Sequence, residues 1–542
     1  MSSPVAVALP DEWAEPGAAT EPEPPRAPTV RERLVPPMPA GGWSGWIGPL
    51  ILTAIAAVLR FVNLGEPKVF SFDETYYAKD AWSLLRYHYE QLSVEGADAK
   101  ILGGNLNVFT GHAANVVHPP VGKWIIGIGE QLFGFTPFGW RFMPAVLGTL
   151  AVLMFARIVR RITRSNLLGC IAGLLLTLDG LAIVLSRTAL LDGILMFFVL
   201  GAFGALVIDR DRSRARLADW AESRDADPGL DAAPNAGPRL GLRPWRLTAG
   251  LLLGLACSTK WSGIYFLATF AVMSLLWDAG ARKTAGVRRP YASMLRRDSV
   301  PAFLSLVPVT FAVYALSWVP WLLSYNKQQR FSDAWTLEPW GPSFLGTPIR
   351  ALLNYHAQMW HFHNNLTSGH SYQGRPAGWL LQVRPTAFWS ITLAQGQDGC
   401  VYNGCTREVT SIGTPIIWWA ATAALVWLLW RWAAGRDWRA GAALAGVAAG
   451  WLPWLLLYNQ RTIFTFYEVV FAPFMFLGLT LALGAIIGPA TASPTRRTWG
   501  TAAVGGYLLL AVANTAWLWP ILVGDLMSSA DWLRRMWFKG WI

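Results

Sequence analysis

Long apolar runs alternate with polar segments along most of this chain. About eleven of these runs approach the ~20 residues with which a helix crosses the hydrocarbon core of a bilayer. They cover residues 45–61, 138–159, 167–185, 189–208, 247–258, 261–277, 300–323, 412–430, 441–458, 464–487 and 499–523. The pattern predicts an all-α polytopic membrane protein with about eleven transmembrane helices.

The N-terminal stretch differs from the rest of the chain. Residues 1–42 are rich in Pro, Ala and Glu, and no hydrophobic core follows a basic start. Such a composition cannot bury enough apolar surface to fold, and it is not that of a cleavable signal peptide. We therefore expect a disordered tail over residues 1–42, a membrane domain over residues 43–523 and a short C-terminal tail over residues 524–542.

The apolar stretch 247–277 is too long for one span. Ser258-Thr259-Lys260 interrupts it, which predicts two helices joined by a tight turn. With this break the arginine-rich loops all fall on one face, as expected of a cytoplasmic face. These loops lie at 157–164, 210–216, 282–297, 431–439 and 496–497. The N-terminus is then cytoplasmic, and the C-terminal tail is external.

Two long polar segments fall on the external face under this topology. They cover residues 62–137 and 324–411, and no other external loop is large enough to hold much chemistry. Amphipathic stretches within them predict helices that lie along the membrane surface. We therefore expect the functional site on this face.

Composition and charge narrow the class of partner. The net charge is +12, but the basic residues lie in short loops between apolar runs rather than on one soluble face, so nucleic acid is not an expected partner. Several of the 31 tryptophans lie at the ends of apolar runs, where indole rings favour the membrane interface. The composition therefore fits a multi-pass protein of the cell membrane.

Two of the four cysteines flank a polar loop in the second external segment. They are Cys400 and Cys405. Because an external loop faces an oxidising space, we predict a disulfide between them, with two unrelated free thiols as the alternative.

The sequence Ser71-Phe72-Asp73-Glu74 opens a helix-like stretch in the first external segment. In one interpretation Ser71 caps the helix, Glu74 completes a capping box, and Asp73 suits the positive end of the helix dipole. In the other, Asp73 is a general base that takes the proton of an acceptor hydroxyl as it attacks a sugar carbon. The residues alone favour the capping interpretation.

Four further charged residues lie at external helix ends, each with two interpretations. Lys123, after His118-Pro-Pro, either snorkels to headgroups or meets a substrate phosphate, and Arg141 is either an interfacial anchor or a functional cation. Lys260 is a turn lysine in water or the partner of a lipid phosphate. Asp192 suits a helix N-terminus or orients a cationic partner.

Four histidines share the second external segment: His356, His361, His363 and His370. Their spacing lacks the pattern of a zinc hydrolase, so we predict ordinary hydrogen bonds and no metal site. A divalent cation shared by Asp73 and Glu74 stays open.

Several motifs, in this order and spacing, resemble the protein O-mannosyltransferase family. They are Phe72-Asp73-Glu74, His118-Pro-Pro-Val-Gly-Lys123, Arg141, Leu191-Asp192-Gly, Ser258-Thr-Lys260-Trp-Ser-Gly, Asn354-Tyr-His356, His370-Ser-Tyr, and Arg461 before Tyr467. The resemblance spans nearly all of the membrane part and implies a GT-C type glycosyltransferase fold. The second external segment leaves no room for the large inserted domain of eukaryotic members, so the chain resembles a bacterial form, and its composition suits an actinobacterium.

This resemblance implies transfer of mannose from polyprenyl-phosphate-mannose to Ser or Thr of exported proteins, with inversion at the anomeric carbon. It makes Asp73 the base, and Arg141 the residue that holds the first external segment or the donor. No cofactor is implied, because the lipid donor is a substrate. The candidates for substrate binding are Glu74, His118, Lys123, Arg141, Asp192, Lys260, His356 and Arg461.

Two rival functions remain at this point. One is a related transferase that acts on a lipid or a cell-wall glycan. The other is a lipid or sugar transporter, although repeated halves and mid-membrane charges are not evident in the sequence. Since acceptors of the first function arrive as exported chains, coupling to the secretion translocon is a further hypothesis.

Overall fold

The computed structural model describes residues 28–39, 41–114, 117–226, 236–331 and 338–542. Helices dominate this part of the chain. They are Val30–Leu34, Ser44–Phe61, Glu74–Tyr87, Ala97–Leu102, Val121–Phe133, Pro137–Thr163, Asn166–Leu178, Gly180–Arg187, Leu191–Ala226, Pro244–Cys257, Gly263–Thr284, Pro290–Arg297, Ser299–Ser317, Val319–Leu323, Tyr325–Phe331, Thr347–Asn365, Pro415–Ala433, Trp438–Leu457, Ala472–Ile487, Pro494–Val523 and Ser529–Arg535. Short 3-10 helices cover Pro376–Leu381, Thr465–Val470 and Lys539–Trp541.

The number of spanning helices is smaller than the eleven expected. Within the described residues, 8 helices are long and apolar enough to cross a membrane, or 9 if the pair Asn166–Leu178 and Gly180–Arg187, bent by 60°, counts as one span. Each of the eleven apolar runs does contain a helix. Two of these helices are too short: Pro244–Cys257, with 14 residues, ends at the turn at Ser258, and Ala472–Ile487, with 16, begins late because Thr465–Val470 is a 3-10 helix.

The break at Lys260 is as predicted: one helix ends at Cys257 and the next begins at Gly263. The shorter of the two packs closely on Ser299–Ser317. A Cβ at Gly250 would lie 2.3 Å from the Ser305 carbonyl oxygen, and one at Gly254 would lie 2.5 Å from the Val313 Cβ. This pair of small residues four apart brings two helices together as in many membrane bundles.

Both long polar segments contain folded structure. The first holds the antiparallel strands Gln91–Ser93 and Phe109–Ala113 beside its helices. In the second, the antiparallel strands Thr386–Leu393 and Cys405–Ser411 form a hairpin. Cys400 and Cys405 are joined by a disulfide at its loop, which is the pairing expected from the sequence.

The two terminal segments differ from the expected tails. Met527–Ser528 adds a third strand to the hairpin, and Trp541 is buried, so the C-terminal residues belong to the fold. Near the N-terminus, Val30–Leu34 is an ordered helix whose Leu34 is 1% exposed. It packs on Leu217 and Ala218, because the long helix Leu191–Ala226 extends far enough to offer an apolar contact. Residues 1–27 of the predicted disordered tail lie outside the described residues.

Candidate active site

Lys260 lies in the turn between two apolar helices and is buried, with 7% of its surface exposed. Its Nζ lies 2.9 and 3.0 Å from the two carboxylate oxygens of Asp192, at the first turn of Leu191–Ala226. The ammonium also lies 3.9 Å from the centre of the Tyr467 ring. Asp192 therefore pairs with a cation, and Lys260 is not a lysine in open water.

Arg461 lies near Lys260 but has no carboxylate partner within the described residues. Its Nη2 donates to Nδ1 of His363 at 3.1 Å, and its buried Nε has no hydrogen-bond partner. His363 Nε2 donates in turn to the Val117 carbonyl oxygen at 2.7 Å. Burial, with the nearby Arg461 charge, lowers the pKa of His363 to about 4, so this histidine is neutral and leaves the guanidinium charge uncompensated.

A chain of hydrogen bonds holds His356. Its Nδ1 lies 2.8 Å from the Leu352 carbonyl oxygen, which makes Nδ1 the donor and leaves Nε2 to accept from the Tyr314 hydroxyl at 2.8 Å. The Trp261 indole donates to the same hydroxyl at 2.9 Å. The chain fixes the second external segment against the turn that carries Lys260.

His118 faces the same region with an unsatisfied atom. It is 8% exposed, and its buried Nδ1 has no hydrogen-bond partner. Burial, together with Lys260 and His363, lowers the pKa of His118 well below its ordinary value. A neutral imidazole with a spare nitrogen is suited to hydrogen bonding with a polar ligand group.

These residues line one cavity of about 530 Å³. Its polar end carries His118, Lys260, His356 and Arg461, and His363 lies there too. Its other walls are apolar side chains of the two helices on either side of it, among them Leu267 and Phe311. A cavity with a cationic end and apolar walls suits a ligand that is an anion at one end and a hydrocarbon at the other.

Asp73 is half-buried and, although it does not line the cavity, its carboxyl interacts with the charges of Lys260 and Asp192. It occupies the N-cap position of Glu74–Tyr87, yet its side chain makes no capping hydrogen bond. Burial raises the pKa of the Asp73 carboxyl to about 6, while Lys260 lowers it and Asp192 raises it. Asp73 lies at the positive end of the helix dipole, and Glu74 accepts a hydrogen bond from the Ser71 N–H at 2.8 Å, as the capping interpretation expects. A carboxyl with this raised pKa and no capping hydrogen bond is also suited to accept a proton near neutral pH.

Phe72 sets the backbone that presents Asp73. Its φ is 52°, in the left-handed region that side-chain-bearing residues seldom adopt, at a cost of about 1–2 kcal/mol. The Phe72 ring stacks on Phe388 with centroids 5.1 Å apart and meets Phe464 edge-on at 5.2 Å. These contacts hold the strained turn in place.

Glu74 and Arg141 form a buried ion pair away from the cavity. Arg141 donates to both Glu74 oxygens at 2.8 Å, and it also donates to the carbonyl oxygens of Pro67 and Val69 at 3.0 and 2.9 Å. The Ala189 N–H donates to Glu74 at 3.0 Å. Since its oxygens are occupied, Glu74 is not placed to bind substrate or to share a cation with Asp73, and Arg141 holds the first external segment instead.

The environment of Lys123 fits neither contact with lipid headgroups nor contact with a substrate phosphate. It is fully buried, with its Nζ 2.9 Å from Glu90 and 3.7 Å from Asp80. It neither snorkels nor faces the cavity, because strand Gln91–Ser93 and helix Glu74–Tyr87 bring two carboxylates to it. His370 is likewise outside the cavity, and its ring meets Phe72 at 5.9 Å.

Three contributors to the site were not among the sequence candidates. Tyr467, Tyr314 and Phe72 each act through contacts between distant segments. Phe72 and Tyr467 lie within motifs that carry the family resemblance, whereas only its aromatic character near a helix end marks Tyr314 in the sequence. Among the described residues, no group of three or more His, Cys, Asp and Glu side chains is arranged to hold a metal ion.

Comparison with known families gives two matches along the chain. Residues 50–221 match the family described as dolichyl-phosphate-mannose-protein mannosyltransferase. Residues 348–541 match the family described as the C-terminal four-transmembrane region of protein O-mannosyltransferase. The first match includes Asp73 and Asp192, and the second includes His356 and Arg461.

Curated relatives extend the similarity over nearly the full length. The polyprenol-phosphate-mannose–protein mannosyltransferase of Mycobacterium tuberculosis is 39% identical over 97% of this chain and 98% of its own. That of Mycolicibacterium smegmatis is 41% identical over 92% of this chain and 93% of its own. The fold resembles a chain of the Saccharomyces cerevisiae protein O-mannosyltransferase Pmt1–Pmt2 complex bound to the sugar donor, with a TM-score of 0.69, 15% identity and coverage of 95% and 94% of the two chains.

Proposed function

Since this chain belongs to the dolichyl-phosphate-mannose–protein mannosyltransferase family, we propose that it transfers mannose from polyprenol-phosphate-mannose to a hydroxyl of an acceptor protein, with Asp73 as the base. The relatives from two actinobacteria agree with the actinobacterial form expected from the sequence. The fold shared with the yeast protein O-mannosyltransferase agrees with the expected GT-C fold. The observation that carries the assignment of roles is that Lys260, at the cationic end of the cavity, interacts electrostatically with a half-buried Asp73 that makes no capping hydrogen bond.

The phosphate of the donor is bound by Arg461 and Lys260. Arg461 contributes most, because its charge has no carboxylate partner in the described chain, whereas the charge of Lys260 is matched by Asp192. A buried cation is costly unless an anion pairs with it, so an entering phosphate lowers the free energy of the occupied site. The apolar walls of the cavity accommodate the first part of the polyprenyl chain.

Mannose transfer then follows as one displacement. The acceptor oxygen forms a bond to the anomeric carbon, the bond from that carbon to the phosphate oxygen breaks, and Asp73 takes the hydroxyl proton. The leaving group is polyprenyl phosphate, which keeps the electron pair and needs no proton, so one carboxylate suffices. A single displacement inverts the anomeric configuration, and retained configuration in the product would contradict it.

The orientation supports an external site. The cavity residues come from turns and segments at one end of the helices, while the loops rich in arginine join the opposite ends. By the positive-inside rule the arginine end is cytoplasmic, which makes the cavity, the two long polar segments and the C-terminus external. The acceptors are then Ser and Thr residues of exported proteins.

Acceptors are accessible before they fold, so transfer is coupled to passage through the secretion translocon. A cavity that opens on the external face favours chains that have just emerged. Equal mannosylation of folded, already exported acceptors and of emerging chains would contradict this coupling.

The experiment that tests the proposal measures transfer of labelled mannose from polyprenyl-phosphate-mannose to a Ser/Thr-rich peptide by purified protein. Asp73→Asn is compared with wild type and with Asp98→Asn, which removes a carboxylate of the same segment that pairs with Lys79 on the surface. We expect transfer to be lost in Asp73→Asn and kept in Asp98→Asn.

The alternative outcomes separate the function from its base. Equal transfer by wild type and Asp73→Asn removes Asp73 from the catalytic role and leaves the family function. Transfer by wild type to a glycan or lipid acceptor, with none to peptide, favours the related transferase. Donor binding without turnover of any acceptor favours a transporter.

A further inference from the structure

Most buried arginines at the helix ends opposite the active site have carboxylate partners. Arg243 lies 2.5 Å from Asp209 and 2.6 Å from Asp278, and Arg246 lies 2.6 Å from Asp278. Arg282 is paired with Asp298 at 2.7 Å. These pairs neutralise the charges that the fold buries.

A second group of arginines at this end is unpaired. Its members line one cavity of about 530 Å³: Arg239, Arg288, Arg289, Arg296 and Arg297. Their side chains make no hydrogen bond or ion pair with any part of the chain that the structure describes. Two alanines and a serine complete the described lining, which therefore contains no carboxylate. Four of these arginines are exposed and Arg297 is partly buried, so five like charges surround a space that is open to an anion from outside.

Hydrogen bonds between separate segments hold the walls of this cavity together. The hydroxyl of Ser293, on helix Pro290–Arg297, donates to the Ala236 carbonyl oxygen. Arg282 donates to the same carbonyl at 3.3 Å and to that of Pro238 at 3.1 Å. One wall, the segment that carries Arg239, is therefore fastened to the helix that carries Arg296 and Arg297.

The acidic residues within the described segments that carry these arginines are bonded elsewhere. Between residues 236 and 300 the only carboxylates are Asp278 and Asp298. Both are buried and 2% exposed, and each is already bonded to arginines outside the cavity. The positive-inside rule accounts for basic residues at this end, but it does not require five of them to surround one space.

Exposed apolar side chains lie next to the cavity. Tyr291 and Leu295 of helix Pro290–Arg297 are 62% and 60% exposed, and Val300, at the start of the following span, is 62% exposed. An amphipathic helix with arginines and bare apolar residues beside a spanning helix lies at the membrane interface. The cavity is then at the level of lipid headgroups.

We propose that this arginine-lined cavity binds the phosphate of an anionic phospholipid headgroup at the face opposite the active site. Guanidiniums donate paired hydrogen bonds to phosphate oxygens, and five of them accommodate a headgroup with more than one anionic oxygen. The apolar neighbours favour a lipid over a soluble phosphate compound, which shares the same binding chemistry. The site is separate from the mannosyl-transfer site, and its test does not depend on that reaction.

The test uses full-length protein purified in a nonionic detergent and titrated with short-chain phosphatidylglycerol, short-chain phosphatidylcholine and inorganic pyrophosphate, with binding followed by calorimetry. The variant Arg288→Gln/Arg296→Gln removes two cavity charges. The control Lys283→Gln/Arg497→Gln removes two exposed charges outside the cavity. Elution as a single species in size-exclusion chromatography establishes that each variant is folded.

We expect wild type and control to bind phosphatidylglycerol but not phosphatidylcholine, and the cavity variant to bind it at least about tenfold more weakly. Binding of pyrophosphate alone, lost in the cavity variant, would keep a phosphate site and overturn the lipid as its ligand. Equal affinity of the cavity variant and the control for phosphatidylglycerol would overturn the site.

Discussion

Arg461 donates a hydrogen bond to Nδ1 of His363 at 3.1 Å, so the buried guanidinium is held by a neutral partner. The hydrogen bond orients the Arg461 guanidinium and leaves its positive charge without a counter-ion in the described part of the chain. It differs from the neighbouring pair of Lys260 and Asp192, in which cation and carboxylate cancel. We therefore expect phosphate recognition to depend on Arg461 more than on any other residue of the cavity.

Arg461→Met is expected to weaken donor binding strongly. Loss of a buried charge-assisted contact costs about 2–5 kcal/mol, so kcat/KM for the donor falls by roughly 30-fold or more. Initial rates measured against donor concentration, with Arg375→Met at an exposed external site as the control, check this. Undiminished inhibition of Arg461→Met by free polyprenyl phosphate would contradict the assignment.

The rate is expected to depend on pH through Asp73. Because burial raises the pKa of its carboxyl to about 6, the ionised form that accepts a proton is depleted below that pH. The kcat/KM for mannose transfer should fall about tenfold for each pH unit below about 6 and level off above it. Rates between pH 5 and pH 8 measure this, and a profile flat over the whole interval argues against Asp73 as the base.

Asp73→Asn is expected to be stabilised at neutral pH although it is inactive. A carboxyl whose pKa is raised on folding is disfavoured when ionised, so stability is lost as pH rises from the unfolded pKa towards about 6. A neutral amide removes this cost, on the order of 1–2 kcal/mol. The melting temperature of the variant should exceed that of wild type more at pH 7.5 than at pH 5, a trend that Asp98→Asn should lack.

Phe72→Ala is expected to lower kcat with little change in the KM for the donor. The ring contacts with Phe388 and Phe464 hold a strained backbone next to Asp73, and displacement of a reacting group by about 1 Å costs up to ~100-fold in rate. Steady-state kinetics check this, with Tyr76→Ala as the control because Tyr76 is 64% exposed. A raised KM with an unchanged kcat would assign Phe72 to donor binding instead.

Arg141→Gln is expected to destabilise the protein before it affects donor binding. Removal of the guanidinium leaves Glu74 buried without its partner, at a cost of about 3–5 kcal/mol. The double variant Glu74→Gln/Arg141→Gln should recover part of that loss. Melting temperatures in detergent and the KM for the donor are measured for both variants. If Arg141 instead contacts the donor phosphate, the double variant does not recover the melting temperature or the KM.

The sequence by itself determined the membrane class, the alternation of apolar helices with two long polar segments, and the turn at Lys260. These follow from local rules, since the length of an apolar run and a polar break within it need no knowledge of distant residues. The sequence overestimated the number of spanning helices, which is 8 or 9 in the described residues rather than about eleven. Pro244–Cys257 ends at the turn before Lys260, and the first part of the run 464–487 forms a 3-10 helix, so neither run holds an α-helix of spanning length.

Only the tertiary structure decided which cations serve the site. Lys123 and Arg461 both lie at external helix ends and look equivalent in the sequence. Folding brings Glu90 and Asp80 to Lys123, and it brings only the neutral His363 to Arg461 among the described residues. The free energy of a buried charge depends on whichever partners distant segments bring within a few ångströms, and local sequence does not encode those partners.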